Sequence, residues 1–162
     1  MITASNLTVS LSGKTIVHGV SLTAKAGEIT AIVGPNGSGK TTMLKAIAGE
    51  LASKGDISLN GHDIRTLEPW QLAVKRAVLP QSATIAFPFT VREIVRLGLT
   101  VGPNRHAERI DAVTAEALGA VDLAGFAGRF YQELSGGEQQ RVQLARVLSQ
   151  IWEPVLDGEP CF

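Results

Sequence analysis

Gly34-Pro35-Asn36-Gly37-Ser38-Gly39-Lys40-Thr41 is the stretch on which the reading of this sequence turns. It satisfies the pattern G-x-x-x-x-G-K-[ST] at every fixed position. Residues 29–33 just before it are almost wholly apolar, which predicts a short strand buried on both faces of a parallel sheet. Just after it, Met43, Leu44, Ile47 and Ala48 recur at helical spacing, and Gly49 is a natural stop for that helix. Strand, glycine turn and helix together form a setting for a triphosphate. Gly34, Gly37 and Gly39 let backbone N–H groups approach the anion with no Cβ in the way. Pro35, Asn36 and Ser38 complete the loop, and the helix beginning near Lys40 points its positive end at the phosphates. Lys40 adds a full charge near the β and γ phosphates. The Thr41 hydroxyl suits Mg²⁺, a hard ion that prefers oxygen, and Thr42 is a further phosphate contact. ATP and Mg²⁺ are therefore the expected cofactors. An ordinary glycine-rich turn is the competing reading, and the strand before and helix after argue against it.

Working outward, residues 2–9 and 16–22 read as strands joined by the turn Ser12-Gly13-Lys14. Residues 56–59, Asn60-Gly61 and residues 62–64 read as a hairpin, because Asn-Gly accepts positive φ at both turn positions. Residues 77–79 suggest a second short apolar strand, ending at Pro80-Gln81. Beyond this the chain turns helical. Thr90 and Glu93 have the spacing of a capping box, and Gly98 can end that helix. Ile110, Val113, Ala117 and Leu118 mark one helical face, and Val142, Leu144, Ala145 and Leu148 another. No repeat or low-complexity tract interrupts the pattern.

The chain of 162 residues suits one domain with a substantial core. Lys plus Arg total 15 and Asp plus Glu total 15, so no net charge draws it to nucleic acid or anionic lipid. Cys161 is the single cysteine and reads as an ordinary thiol without an intrachain disulfide. No apolar run is long enough to span a bilayer, and no basic-then-apolar leader opens the chain. Any membrane association is expected to come through a partner.

Leu134-Ser135-Gly136-Gly137-Glu138-Gln139-Gln140-Arg141 has a bland reading and a sharper one. Ser135 and Glu138 have capping-box spacing, so a capped helix is expected. Gly136 and Gly137 then weaken its first turn and expose N–H groups there, which makes a second anion site. This octapeptide resembles the ABC signature motif. With the phosphate loop upstream and Gln81 between, the order is that of ABC ATPases, and the resemblance covers residues 7–150. Residues 86–93, Ala-Phe-Pro-Phe-Thr-Val-Arg-Glu, look like those of ATP-binding subunits of bacterial hemin importers, relatives of siderophore and cobalamin importers.

The resemblance implies an α/β fold with a RecA-like P-loop core, an antiparallel β portion and a helical subdomain. The whole chain, 1–162, would be a partial nucleotide-binding domain: 1–81 the β portion and phosphate-loop core, 82–134 the helical subdomain and 135–150 the signature helix. It implies that Ser135, Gly136, Gly137 and Glu138 bind the γ-phosphate of ATP held by a second copy in a head-to-tail dimer. It implies that Gln81 reaches Mg²⁺, beside Thr41, and supports catalysis at the attacking water. Membrane permease subunits, with a periplasmic binding protein acting indirectly, become the expected partners. The expected place is the cytoplasmic face of the inner membrane, peripherally. Coupling of ATP hydrolysis to hemin import is the implied function.

Two departures qualify this picture. Leu11 stands where the family usually places an adenine-stacking aromatic, which predicts weaker adenine binding. An ABC ATPase also needs a buried strand ending in Asp-Glu, and residues 153–162 do not fit it. Asp157 and Glu159 are separated by Gly158, and Pro154 disfavours an interior strand, so a loop is the expected structure. No catalytic residue is expected in the chain, which reads as truncated before its hydrolytic strand, and a chain that is poorly soluble or only marginally folded when alone is expected. His18, His62 and His106 are expected to be exposed and to bind no metal. Three functional readings follow: a transport ATPase subunit for hemin, or for ferric siderophore or cobalamin; an ATP-binding module without turnover; and a soluble ABC ATPase acting on DNA or ribosomes. Neutral charge and the segment at residues 86–93 argue against the third.

Overall fold

Alternating apolar residues at the N-terminus form β1 (Ile2–Leu11) and β2 (Lys14–Ala24), which pair antiparallel with Leu11 opposite Lys14. Ser12 and Gly13 between them have φ of 48° and 79°, the left-handed pair that a two-residue hairpin turn needs. The second hairpin repeats the device. Asn60 and Gly61, at φ 50° and 82°, join β3 (Lys54–Leu59) to β4 (His62–Asp63). The sheet runs β2-β1-β3-β4, antiparallel throughout.

A computed structural model describes residues 1–81, 85–100 and 107–153, which fall into two units dividing after Leu72. In the first unit α1 (Lys40–Ile47) buries Met43, Ala46 and Ile47 in one cluster with Leu7 and Val9 of β1 and Ile57 and Leu59 of β3. Each of the larger of these side chains contributes about 1.5–3 kcal/mol when fully buried. Gly49, at φ 74°, ends α1 as expected by returning its N–H to the Ala46 carbonyl at 2.9 Å.

Residues 29–33 do not form the predicted buried strand. They carry no regular secondary structure, and Ile29 and Val33 are 100% and 88% exposed. A parallel strand exists only with a parallel neighbour and cover on both faces. Among the described residues the one sheet is antiparallel and residues 29–33 have no place in it. Residues 77–79 likewise form no strand: Ala77 is buried, while Val78 and Leu79 are exposed. A short helix that the apolar pattern did not announce, α2 (Pro69–Lys75), precedes them. Proline suits its first position, and the Gln71 side chain accepts from the Glu68 N–H at 2.7 Å.

The second unit is helical. α3 (Val91–Leu97), α4 (Ala107–Ala120) and α5 (Gly136–Gln150) enclose Val91, Ile94, Val95, Ala117, Leu118, Val142 and Ala145. The predicted capping box at Thr90 and Glu93 is present in both directions. At Gly98 the backbone comes so close to α5 that a Cβ would lie 2.1 Å from the Arg146 carbonyl oxygen. Ser149, fully buried beside it, donates its hydroxyl to the Val95 carbonyl at 3.0 Å. Ahead of α3, the chain pairs with the segment leading into α5. Tyr131 N–H donates to the Phe89 carbonyl at 3.0 Å and Val91 N–H to the Arg129 carbonyl at 2.9 Å.

Candidate nucleotide-binding site

The phosphate loop lies in the first unit. Gly39 caps α1 with φ 88° and ψ 8°, a left-handed conformation with no side-chain cap. A Cβ there would meet the Ile16 carbonyl oxygen at 3.1 Å, so conformation and space both demand glycine. The first bond that closes on the helix is Met43 N–H to the Gly39 carbonyl at 2.8 Å. The amides of Lys40, Thr41 and Thr42 precede it and have no partner within the helix, as at any helix start. Lys40 folds back over the loop. Its ammonium donates to the Gly34 carbonyl at 2.8 Å and the Pro35 carbonyl at 2.7 Å, while Ser38 N–H closes the turn onto the Pro35 carbonyl at 3.3 Å. An ammonium has three donors, so one is left to meet an anion above the loop. Gly37, at φ 81°, has open space where a Cβ would stand. Asn36 and Thr41 are exposed and Thr42 is half-buried in the first turn.

Ser135, Gly136, Gly137 and Glu138 lie in the second unit, where Ser135 caps α5. Glu138 N–H donates to Ser135 Oγ at 3.4 Å, and Ser135 N–H and Oγ–H donate to Glu138 Oε2 at 2.8 and 2.7 Å. Those two donors, and then the charges of Arg129 and Arg141, hold the Glu138 carboxyl below the usual carboxylate range. Gly136 and Gly137 have no positive φ, and a Cβ at either would meet nothing within 4 Å. Neither backbone conformation nor packing within the described residues calls for glycine there. The first-turn amides at Gly136 and Gly137 are therefore open to approach from outside.

Gln81 joins Gly136 and Gly137 in the lining of a cavity of about 640 Å³ in the second unit, with Tyr131, Gln139 and Gln143 on its wall. Sequence reasoning missed those last three. Gln139 and Gln143 stand four residues apart on α5, a spacing that puts them on one face, but polar side chains on a helix usually face solvent. Leu11 is partly exposed at the end of β1, and His18 and His62 are exposed as expected. His106, Asp157, Glu159 and Cys161 lie outside the described residues. Among the described residues, no group of three or more His, Cys, Asp or Glu could hold a metal ion, and no helix is long and apolar enough to cross a membrane.

The family model described as ABC transporter matches residues 17–157. The chain belongs to the ABC transporter family. The hemin import ATP-binding protein HmuV of Rhizobium leguminosarum is 65% identical over the whole chain, and that of Rhizobium meliloti strain 1021 is 64% identical over 161 residues. The chain spans 61% of the length of each of these relatives. Among solved structures, an ATP-binding subunit of an ABC transporter superposes with a TM-score of 0.80 at 22% identity, covering 93% of this chain and 62% of that one. An ATP-binding cassette in its ADP conformation also reaches 0.80, at 25% identity, over 93% of this chain and 65% of its own. The α/β P-loop class that the resemblance implied, with its antiparallel β portion and its helices, is the fold of this family.

Proposed function

We propose that this ABC transporter chain is the nucleotide-binding part of a subunit that couples ATP hydrolysis to import of hemin. The observation that carries the reading is the Lys40 ammonium, tethered to the Gly34 and Pro35 carbonyls at 2.8 and 2.7 Å where α1 begins. ATP would lie along residues 34–39, its phosphates taking the loop amides, the first-turn amides through Thr42 and the third ammonium donor. The Thr41 hydroxyl would offer Mg²⁺ an oxygen ligand of the kind it prefers, and the Gln81 carboxamide carries an oxygen of the same kind. A Mg²⁺ held at Thr41 would supply charge neutralisation to the phosphates. In a head-to-tail pair, the α5 start of one copy, at Ser135, Gly136, Gly137 and Glu138, would meet the γ-phosphate on the loop of the other. Hemin as cargo rests on the names of the relatives, since the chemistry of an ATP site says nothing of what is carried. Permease subunits at the inner membrane, with a periplasmic binding protein beyond them, are the partners this reading requires, and residues 86–93 are the segment that would face a permease.

Titration with a fluorescent ATP analogue tests the reading directly. Saturable binding is expected, and Lys40→Ala should weaken it by at least about tenfold, or 1.4 kcal/mol. Equal affinity in the two proteins would sink the proposal. For the cargo, vesicles carrying the intact subunit with its permease should take up hemin in preference to cobalamin when ATP is supplied inside.

A further inference from the structure

The start of α5 is held from behind by a side chain outside the four residues read as touching phosphate. Gln139 stands at the fourth position of the helix, half-buried. Its carboxamide nitrogen donates to the Tyr131 carbonyl at 3.1 Å and the Leu134 carbonyl at 3.2 Å. A carboxamide has two N–H donors, so both are engaged. The flipped amide would set its oxygen against two carbonyl oxygens, and the network therefore fixes its orientation. One turn later Gln143, itself buried, donates to the Tyr131 hydroxyl at 3.3 Å. Leu134 immediately precedes the cap, so Gln139 ties the position before Ser135 to the first turn that follows it. Helices often join these two positions by an apolar contact. Here a polar staple takes its place.

The need for such a staple lies in Gly136 and Gly137. Glycine is the least favourable helix residue after proline, and neither glycine gains packing contacts in exchange. The first turn would fray unless other groups held it. The capping box fixes Ser135 to Glu138, and Gln139 fixes that box to the 3-10 turn Tyr131–Glu133 before it. The geometry points to Gln139 as a positioning residue that sets where the Ser135 hydroxyl and the Gly136 and Gly137 amides face. The inference rests on the reading of that helix start as a γ-phosphate contact and adds a residue to it.

The test uses the intact subunit with Gln139→Glu and Gln139→Met. Glutamate keeps shape and puts an acceptor against two carbonyls; methionine keeps bulk and removes the donors. Each should bind one ATP per chain with an affinity within about twofold of wild type, since that affinity belongs to the phosphate loop. Turnover at saturating ATP should fall at least about tenfold with KM little changed, the pattern of a contact made only in the transition state. Protonation converts the glutamate into a donor, so the ratio of Gln139→Glu to wild-type turnover should climb as pH falls from about 8 towards 5.5. A residue acting only through folding would show that climb in the number of ATP-binding sites as well, which here should stay constant. Wild-type turnover in both variants, loss of ATP-binding sites in both, or a flat ratio across pH in Gln139→Glu would each overturn the inference. Where Gln139→Glu does not fold, Gln139→Met with full ATP stoichiometry and undiminished turnover overturns it. Lys40→Ala run alongside separates the two claims, because undiminished ATP binding there removes the nucleotide reading itself.

Discussion

Gly98 lets α3 and α5 touch backbone to backbone. A Cβ at that position would lie 2.1 Å from the Arg146 carbonyl oxygen and 2.4 Å from Ser149 Oγ. Neither neighbour can yield, since the first is helix backbone and the second is a fully buried side chain bonded to the Val95 carbonyl. Gly98→Ala should therefore destabilise the intact protein by about 1–3 kcal/mol, read as a lower urea midpoint with unchanged slope. Ser149→Ala should cost about 1 kcal/mol, the usual net value of one hydrogen bond. Leu11 poses a question of affinity instead. It is 39% exposed at the end of β1, the position expected to cover adenine. Aromatic stacking on a base contributes about 1–3 kcal/mol in single-strand binding. Leu11→Tyr should tighten ATP binding several-fold while leaving inorganic triphosphate binding unchanged, and equal gains for both ligands would remove adenine stacking as the cause.

The helices add an acid sensitivity that no single residue owns. Glu93 and Glu138 occupy the same place in their capping boxes, three residues after Thr90 and Ser135. The Thr90 N–H and hydroxyl, and then Arg96, lower the Glu93 pKa, as the Ser135 donors and then Arg129 and Arg141 lower that of Glu138. A carboxyl whose pKa is depressed on folding contributes stability above its unfolded value, near 4.5 here, and loses it as pH falls through the folded value. Amide protection factors in the first turns of α3 and α5 should thus fall below about pH 4.5, and Glu93→Gln with Glu138→Gln should flatten that dependence. Asp63, held at about 2 from an ordinary 3.8 by its hydrogen bonds from Arg65, should stay ionised through most of that titration. Elements such as these were legible in the sequence because their causes are local. Ser12-Gly13, Asn60-Gly61, Gly49 and the two capping boxes each specify their geometry within four residues. Residues 29–33 were not, because a parallel strand is made by its neighbours and composition records only the capacity. Gln139 and Gln143 were hidden for a related reason: their partners, Tyr131 and Leu134, become neighbours only once the turn before α5 has formed. Pro69 at the start of α2 was a local signal overlooked beside the stronger apolar patterns.

On the scale of the whole molecule, the exposed Ile29 and Val33 govern how this chain behaves alone, while Ile32 between them packs against the first core. Ile29 and Val33 stand in solvent with no ladder beside them among the described residues, a combination that invites other chains. Concentrated solutions of the 162-residue chain should scatter light and bind hydrophobic dye, and Ile29→Lys should reduce both. A clear, monomeric solution of the unsubstituted chain would contradict this. Gly136 and Gly137 lead to the opposite kind of expectation. With ordinary φ and empty space around each, alanine at either position should strengthen α5 by about 0.5–1 kcal/mol. A screen that rewarded only survival to higher temperature would discard these glycines first, and with them the bare backbone on which the proposed grip on phosphate depends.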